Sequence, residues 1–371
     1  MTTLDDCKKS VEQASCLPPH YYVSDHCYRD EVDRLFTAQW LGIGRCDLVK
    51  QAGDYITLTI AAVPVIVIRD SDNRLRAYGN SCRHRGAQLL QGSGQCRQIR
   101  CPFHSWTYGL DGLLKGASHL EGIENFQRED YGLIEFSVMT HAGFAFLCMA
   151  KEPPPFEQTI GDFDTYHNGW PLESLITTRR RELTFDCNWK AFIDVFNEYY
   201  HLQYVHKDSI NDLYKMPDPA DATSGSFATQ FGVTQGTGGL LQSQQEKALP
   251  IMPGLPEREA SGARYTWLFP NMTFAAGKES LWVYEAYPLG AGQCHVVQSI
   301  CFPEQSMAVA DFAEKVQFYY DRLDAALEED RLALENQHRG LSSPFATAGR
   351  FSPTMEPNVA TFARWYAGVM S

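Results

Sequence analysis

The chain has 371 residues, 44% of them hydrophobic, and a formal net charge of −13. Length and composition predict a globular protein of two or three domains. The acidic balance argues against nucleic acid and anionic membranes as partners. No apolar run reaches the roughly 18 residues needed to span a bilayer.

The first residues, MTTLDDCKKSVEQASC, lack the basic-then-apolar pattern of a secretory signal, so a cytoplasmic location is expected. Most of the eleven cysteines are then reduced thiols rather than disulfides, the exceptions being the two spaced with histidines. Residues 1–40 read as a loop and a helix, with Val32, Leu35, Phe36 and Trp40 at near-helical spacing. Residues 41–152 alternate short β-branched or aromatic runs with Gly, Asp and Asn turns and predict a small all-β domain. Examples are Tyr55 to Ile60, Val63 to Arg69 and Gly143 to Met149. Lys151-Glu-Pro-Pro-Pro closes this domain as a linker.

Residues 153–371 mix helix and strand. The period predicts a helix over 188–204, loops over 217–262, strands within Arg264 to Phe302, and a long amphipathic helix from Ala308 to His338. The fold class is α+β, with an antiparallel sheet and helices around it in the larger domain.

Two constellations carry chemistry. The first is Cys82-Arg-His84, then sixteen residues, then Cys101-Pro-Phe-His104. Two thiolates and two imidazoles suit either structural zinc or a Rieske [2Fe–2S] centre, which has two Cys on one iron and two His on the other. Zinc modules usually pair ligands by type, whereas each half here offers one Cys and one His. The spacing favours the Rieske set, and Gly86, Gly92 and Gly94 permit tight loops around it.

The second lies in the predicted helix 188–204, where Asp194, Glu198 and His201 form a polar stripe beside an apolar one. His206 follows His201 by five residues, about 140° round an ideal helix, so the helix must end or distort between them. In the long helix the stripe Phe312, Val316, Tyr319, Leu323, Ala326, Leu334 is interrupted by Asp330. Asp330 is either a solvated residue beside Glu328 and Glu329, or the carboxylate of a two-His, one-carboxylate iron site.

These residues together resemble the α-subunits of Rieske non-haem iron ring-hydroxylating oxygenases along nearly the whole chain. The resemblance rests on Asn80-Ser-Cys-Arg-His-Arg-Gly, Cys101-Pro-Phe-His-Ser-Trp-Thr-Tyr-Gly-Leu-Asp-Gly, Glu198-Tyr-Tyr-His and Glu329-Asp330. It implies a helix-grip-like catalytic domain, with residues 1–40 packed on it. It implies a cluster on Cys82, His84, Cys101 and His104, and a mononuclear Fe(II) on His201, His206 and Asp330. It also implies that Glu198 bridges to His104 of a neighbouring subunit in a head-to-tail homotrimer. O₂ would be co-substrate, with electrons from NAD(P)H through a partner reductase or ferredoxin. Relatives often have Asp-Asn where Asp194 is followed by Val195, so Asp194 is the less secure support of the iron site.

The overall pattern is closest in look to the choline, carnitine and glycine betaine monooxygenases. It implies monooxygenation or N-/O-dealkylation of a small molecule; the alternative is cis-dihydroxylation of an aromatic acid or hydrocarbon. Trp267, Phe269, Trp282, Tyr284 and Tyr287 are candidates for a cage around a quaternary ammonium group, or are simple strand core.

Overall fold

The computed structural model describes residues 2–120 and 122–371. Ten strands lie between residues 41 and 148: β1 (Leu41–Arg45), β2 (Asp54–Ile60), β3 (Val63–Arg69), β4 (Leu75–Gly79), β5 (Ser93–Gln95), β6 (Ile99–Arg100), β7 (Thr107–Tyr108), β8 (Leu114–Gly116), β9 (Glu135–His141) and β10 (Phe144–Cys148). Seven form an antiparallel sheet in the order β1-β10-β9-β4-β3-β2-β5, and β6-β7-β8 form a small separate one. The apolar run of β3 is buried on both faces, as its sequence requires. Val65 and Val67 join the large core shared with the rest of the molecule, while Ile66 and Ile68 pack under Cys82 and Cys101.

The second half carries a six-stranded antiparallel sheet of β11 (Ile176–Phe185), β12 (Phe227–Val233), β13 (Gly262–Leu268), β14 (Met272–Ala276), β15 (Leu281–Gly290) and β16 (Gln293–Phe302). Its order is β11-β16-β15-β14-β13-β12. β15 shows period-2 burial: Trp282, Tyr284 and Ala286 enter one core, Leu281 and Val283 another. Helices Trp189–Phe196, Phe312–Leu341 and Pro357–Met370 pack on the first of these faces.

The N-terminal segment is tied to this half by a buried network. Glu31 accepts hydrogen bonds from Lys190 Nζ at 2.5 Å, Trp189 Nε1 at 2.8 Å and Tyr366 Oη at 2.6 Å. The two halves meet at Gly42, whose N–H and C=O pair with the Asn271 amide at 3.0 Å each.

Three expectations change. β12 falls within the stretch read as loop, because its buried Thr229 and Gln230 mask the apolar pattern. Both are bonded, Thr229 to Thr266 Oγ1 at 2.8 Å and Gln230 to the Asp218 carbonyl at 2.7 Å. The long helix begins at Phe312, since a short helix, Glu304–Met307, occupies the approach to it.

The third change is at the predicted helix 188–204, which stops at Phe196, before His201 rather than after it. The N–H groups of the next residues leave the helix for other acceptors. Tyr199 N–H goes to the Met355 carbonyl at 3.0 Å, while those of Tyr200 and His201 go to the Glu198 carboxylate.

Candidate metal centres

Cys82 and Cys101 sit in two loops of the same construction. In each, the Cys N–H donates to the carbonyl five residues on, Ala87 or Trp106, at 2.8 Å. The Cys carbonyl accepts from the N–H four residues on, Gly86 or Ser105. That fourth residue must take positive φ, 75° at Gly86 and 58° at Ser105, and glycine meets this demand without a steric cost. Both thiols are buried and free, and both imidazoles are exposed. The rings of His84 and His104 meet edge to face at 4.7 Å, and His84 stacks on Trp106 at 4.9 Å.

Among the described residues, only His201, His206 and Asp330 bring three potential ligand atoms within 4.8 Å of one another. The two loops bring the four residues together as two Cys/His pairs, the donor set that a Rieske [2Fe–2S] cluster takes.

In the second group the helical break does the positioning. His201 opens the short helix Leu202–Val205 and His206 closes it. Their rings lie 5.0 Å apart, and both Nε2 atoms face Asp330 Oδ1, at 3.7 Å from His201 and 3.0 Å from His206. Each Nδ1 is held by a carboxylate: Glu198 for His201, Glu329 for His206 at 2.5 Å. Ser209 Oγ steadies Glu329 at 2.8 Å.

A ring anchored at Nδ1 presents a bare Nε2, the form a metal takes. Asp330 Oδ1 is buried and has no hydrogen-bond donor, a costly state that a cation between the three groups relieves. The residues therefore fit a mononuclear iron. Burial alone would lower the His201 imidazole, but the hydrogen bond and charge of Glu198, with Asp330, leave it above its usual value.

Glu329 escaped sequence reasoning, which read it as a solvent-facing neighbour of Asp330; only the folded chain shows it reaching His206. Asp194 hydrogen-bonds neither imidazole. Its Oδ2 accepts from Tyr22 Oη at 2.9 Å, and burial pushes its carboxyl up to about 7. It lines a cavity behind Glu198 and His201 that Glu356 also borders. Cys96 is a free, half-buried thiol.

A narrow cavity adjoins the His201–His206–Asp330 group, with about 50 Å³ free to the centre of a water molecule. Tyr199, Tyr214, Tyr265, Trp282, Tyr284 and Arg322 line it. Of the five aromatic residues considered for a cage, Trp282 and Tyr284 are here. Trp267 stacks on Phe362, Phe269 packs against Trp365, and Tyr287 bonds the Gly42 carbonyl. An open cleft of about 920 Å³, lined by Asp47, Arg69, His141 and Asp164 among others, includes none of the candidate ligands.

Residues 172–371 match the family model for the catalytic domain of the ring hydroxylating alpha subunit, and residues 39–127 match that of the Rieske [2Fe-2S] domain. The glycine betaine monooxygenase oxygenase subunit of Pseudomonas aeruginosa is 25% identical, the match covering 98% of this chain and 90% of that one. The chloroplastic choline monooxygenase of Arabidopsis thaliana is 27% identical, covering 96% and 83%. The crystal structure of the quaternary ammonium Rieske monooxygenase CntA with an inhibitor superposes with a TM-score of 0.84 at 24% identity, covering 100% and 99%. That likeness shows the shared fold. The chain belongs to the ring-hydroxylating alpha-subunit family: it is the oxygenase component of a Rieske non-haem iron system, which works with a [2Fe–2S] cluster and a mononuclear iron.

Proposed function

We propose that this chain monooxygenates a compact quaternary ammonium compound, with the mononuclear iron held by His201, His206 and Asp330 and the cluster by Cys82, His84, Cys101 and His104. The observation that carries it is the orphaned Asp330 Oδ1 facing two imidazole Nε2 atoms whose Nδ1 atoms are already held by carboxylates. With iron bound, the chemistry supplied at this point is activation of O₂ for insertion into a C–H bond. The balance is R–H + O₂ + 2e⁻ + 2H⁺ → R–OH + H₂O, with electrons from a reductase or ferredoxin fed by NAD(P)H.

The chain's own residues perform the rest. Glu198 and Glu329 orient the imidazoles. The aromatic walls exclude water and supply rings against which a cation can pack. Asp194 borders the cavity behind Glu198 and His201, with its carboxyl held by Tyr22. The sequence relatives are monooxygenases, which favours one-oxygen insertion over dihydroxylation.

The domain limits 1–40, 41–152 and 153–371, a cytoplasmic location and a head-to-tail homotrimer belong to the same reading. Among the described residues, no helix is long and apolar enough to cross a membrane. Exposed aromatic side chains adjoin both sites, Phe103 next to His104 and Tyr200 and Tyr204 around His201, as surfaces that a second subunit covers would have. Reconstitution with a surrogate NADH-fed reductase tests the activity. Hydroxylated or dealkylated product from a quaternary ammonium substrate, lost in Asp330→Ala with the cluster spectrum intact, is the expected result. Equal turnover by Asp330→Ala would sink the ligand assignment.

A further inference from the structure

Arg322 has no place in an aromatic cage built for a cation. It is 4% exposed, lines the narrow cavity, and lies two helical turns from Asp330 on the same helix. Eight residues at 1.5 Å each separate the two by about 12 Å along the axis. A guanidinium so deeply buried ordinarily has a carboxylate partner. Among the described residues Arg322 has none: its one hydrogen bond runs from Nη2 to Tyr214 Oη at 2.9 Å, and its Nε is buried without an acceptor.

A second donor of the same cavity is orphaned as well. Trp282 Nε1 is buried without a partner, and the Arg322 guanidinium carbon lies 5.5 Å from the Trp282 ring centre. Buried donors without acceptors, one of them charged, are the complement of a group that only accepts. A carboxylate is that group, and the guanidinium fork matches its geometry. The Glu198 and Asp330 carboxylates line the same cavity, with Arg322 about 12 Å from Asp330 along the helix axis.

We propose that Arg322 anchors a carboxylate of the substrate, so that the site selects compact zwitterions, with a carboxylate at Arg322 and a quaternary ammonium toward the triad. This rests on the quaternary ammonium reading above and narrows it. A cation without a carboxylate leaves the Arg322 guanidinium unpaired and places its charge in a cavity that already holds one. A site built to hydrogen-bond a substrate group discriminates strongly against the analogue that lacks it.

Three probes of nearly equal shape separate the two ends. Glycine betaine has both charges, choline only the ammonium, and 3,3-dimethylbutyrate only the carboxylate. Calorimetric titration of the anaerobic holoenzyme is expected to show glycine betaine binding roughly 10²-fold more tightly than choline. Arg322→Met removes that gap, and Arg322→Lys, which keeps charge without the fork, restores part of it. An unchanged cluster spectrum and melting temperature show that the variants fold; a structural role alone would weaken both probes together. Should Arg322→Met fail to fold, the wild-type comparison and Arg322→Lys decide.

Equal binding of choline and glycine betaine, or a gap that survives loss of the guanidinium, overturns the anchor and leaves the quaternary ammonium reading standing. Binding of 3,3-dimethylbutyrate as tight as glycine betaine, lost in Arg322→Met, supports the anchor and sinks the quaternary ammonium reading. No binding of either carboxylate probe overturns the anchor.

Discussion

Single atoms decide the chemistry of the iron site. His206 presents Nε2 to Asp330 because Glu329, steadied by Ser209, occupies Nδ1. Loss of such a partner commonly weakens metal binding about 10–100-fold. Glu329→Ala is therefore expected to lower iron affinity by about that factor, read by chelator competition, with the cluster absorption unchanged.

A second residue-scale prediction concerns Glu285 on β15, 2% exposed, with Oε1 lacking a partner. Burial pushes its carboxyl from the usual 4.5 to about 8. The folded chain keeps a proton that the unfolded chain releases in that window, so this group makes stability fall as pH rises from about 4.5 to about 8. Denaturant titrations across that range are expected to show Glu285→Gln gaining on the wild type with rising pH and then levelling off. A constant difference would refute the assignment.

Elements carry the next scale. Helices Asp25–Glu31, Trp189–Phe196 and Pro357–Met370 are pinned by one buried ion pair, Lys190 with Glu31, inside a cluster that Trp189 and Tyr366 complete. Removing one partner strands the other as a bare buried charge. Lys190→Met should cost about 3–5 kcal/mol, and the Lys190→Met/Glu31→Gln double variant distinctly less, in an equilibrium double-mutant cycle.

The two cluster loops show how much of an element is legible in sequence. Gly86 announces its positive φ by its identity; Ser105 occupies the matching position in the other loop without any such sign. Likewise the period of residues 188–204 predicted a continuous helix, because local pattern cannot report that the Met355 carbonyl and the Glu198 carboxylate draw the next N–H groups away.

At the scale of the whole molecule, among the described residues no hydrogen bond joins His104 to Glu198 within one chain, and exposed aromatics flank both sites. The proposed trimer accounts for both facts by letting the cluster of one subunit serve the iron of the next. Cys101→Ala destroys the cluster and Asp330→Ala the iron site. Each variant alone should be inactive. Mixed oligomers should regain activity, since random assembly of a cyclic trimer leaves roughly one junction in four with both centres intact. Persistent inactivity of mixed oligomers with both centres verified would show that electrons travel within one chain. Glu198→Gln, which keeps an oxygen acceptor for His201 Nδ1, should slow single-turnover oxidation of the reduced cluster per bound iron, with the cluster content unchanged.

The sequence alone determined the kinds of chemistry present. Cys82, His84, Cys101 and His104 favour a cluster over zinc by type and spacing, and Asp330 stands out as a carboxylate within an apolar stripe. Those signals are local: spacing along the chain and period along one helix. Only the tertiary structure decided what surrounds them. Glu329 on His206, Arg322 beside Trp282 and Tyr214, and the strand β12 hidden among polar residues all depend on partners far away in sequence. A side chain's burial and bonding depend on every element packed against it, and no pattern along one segment records them.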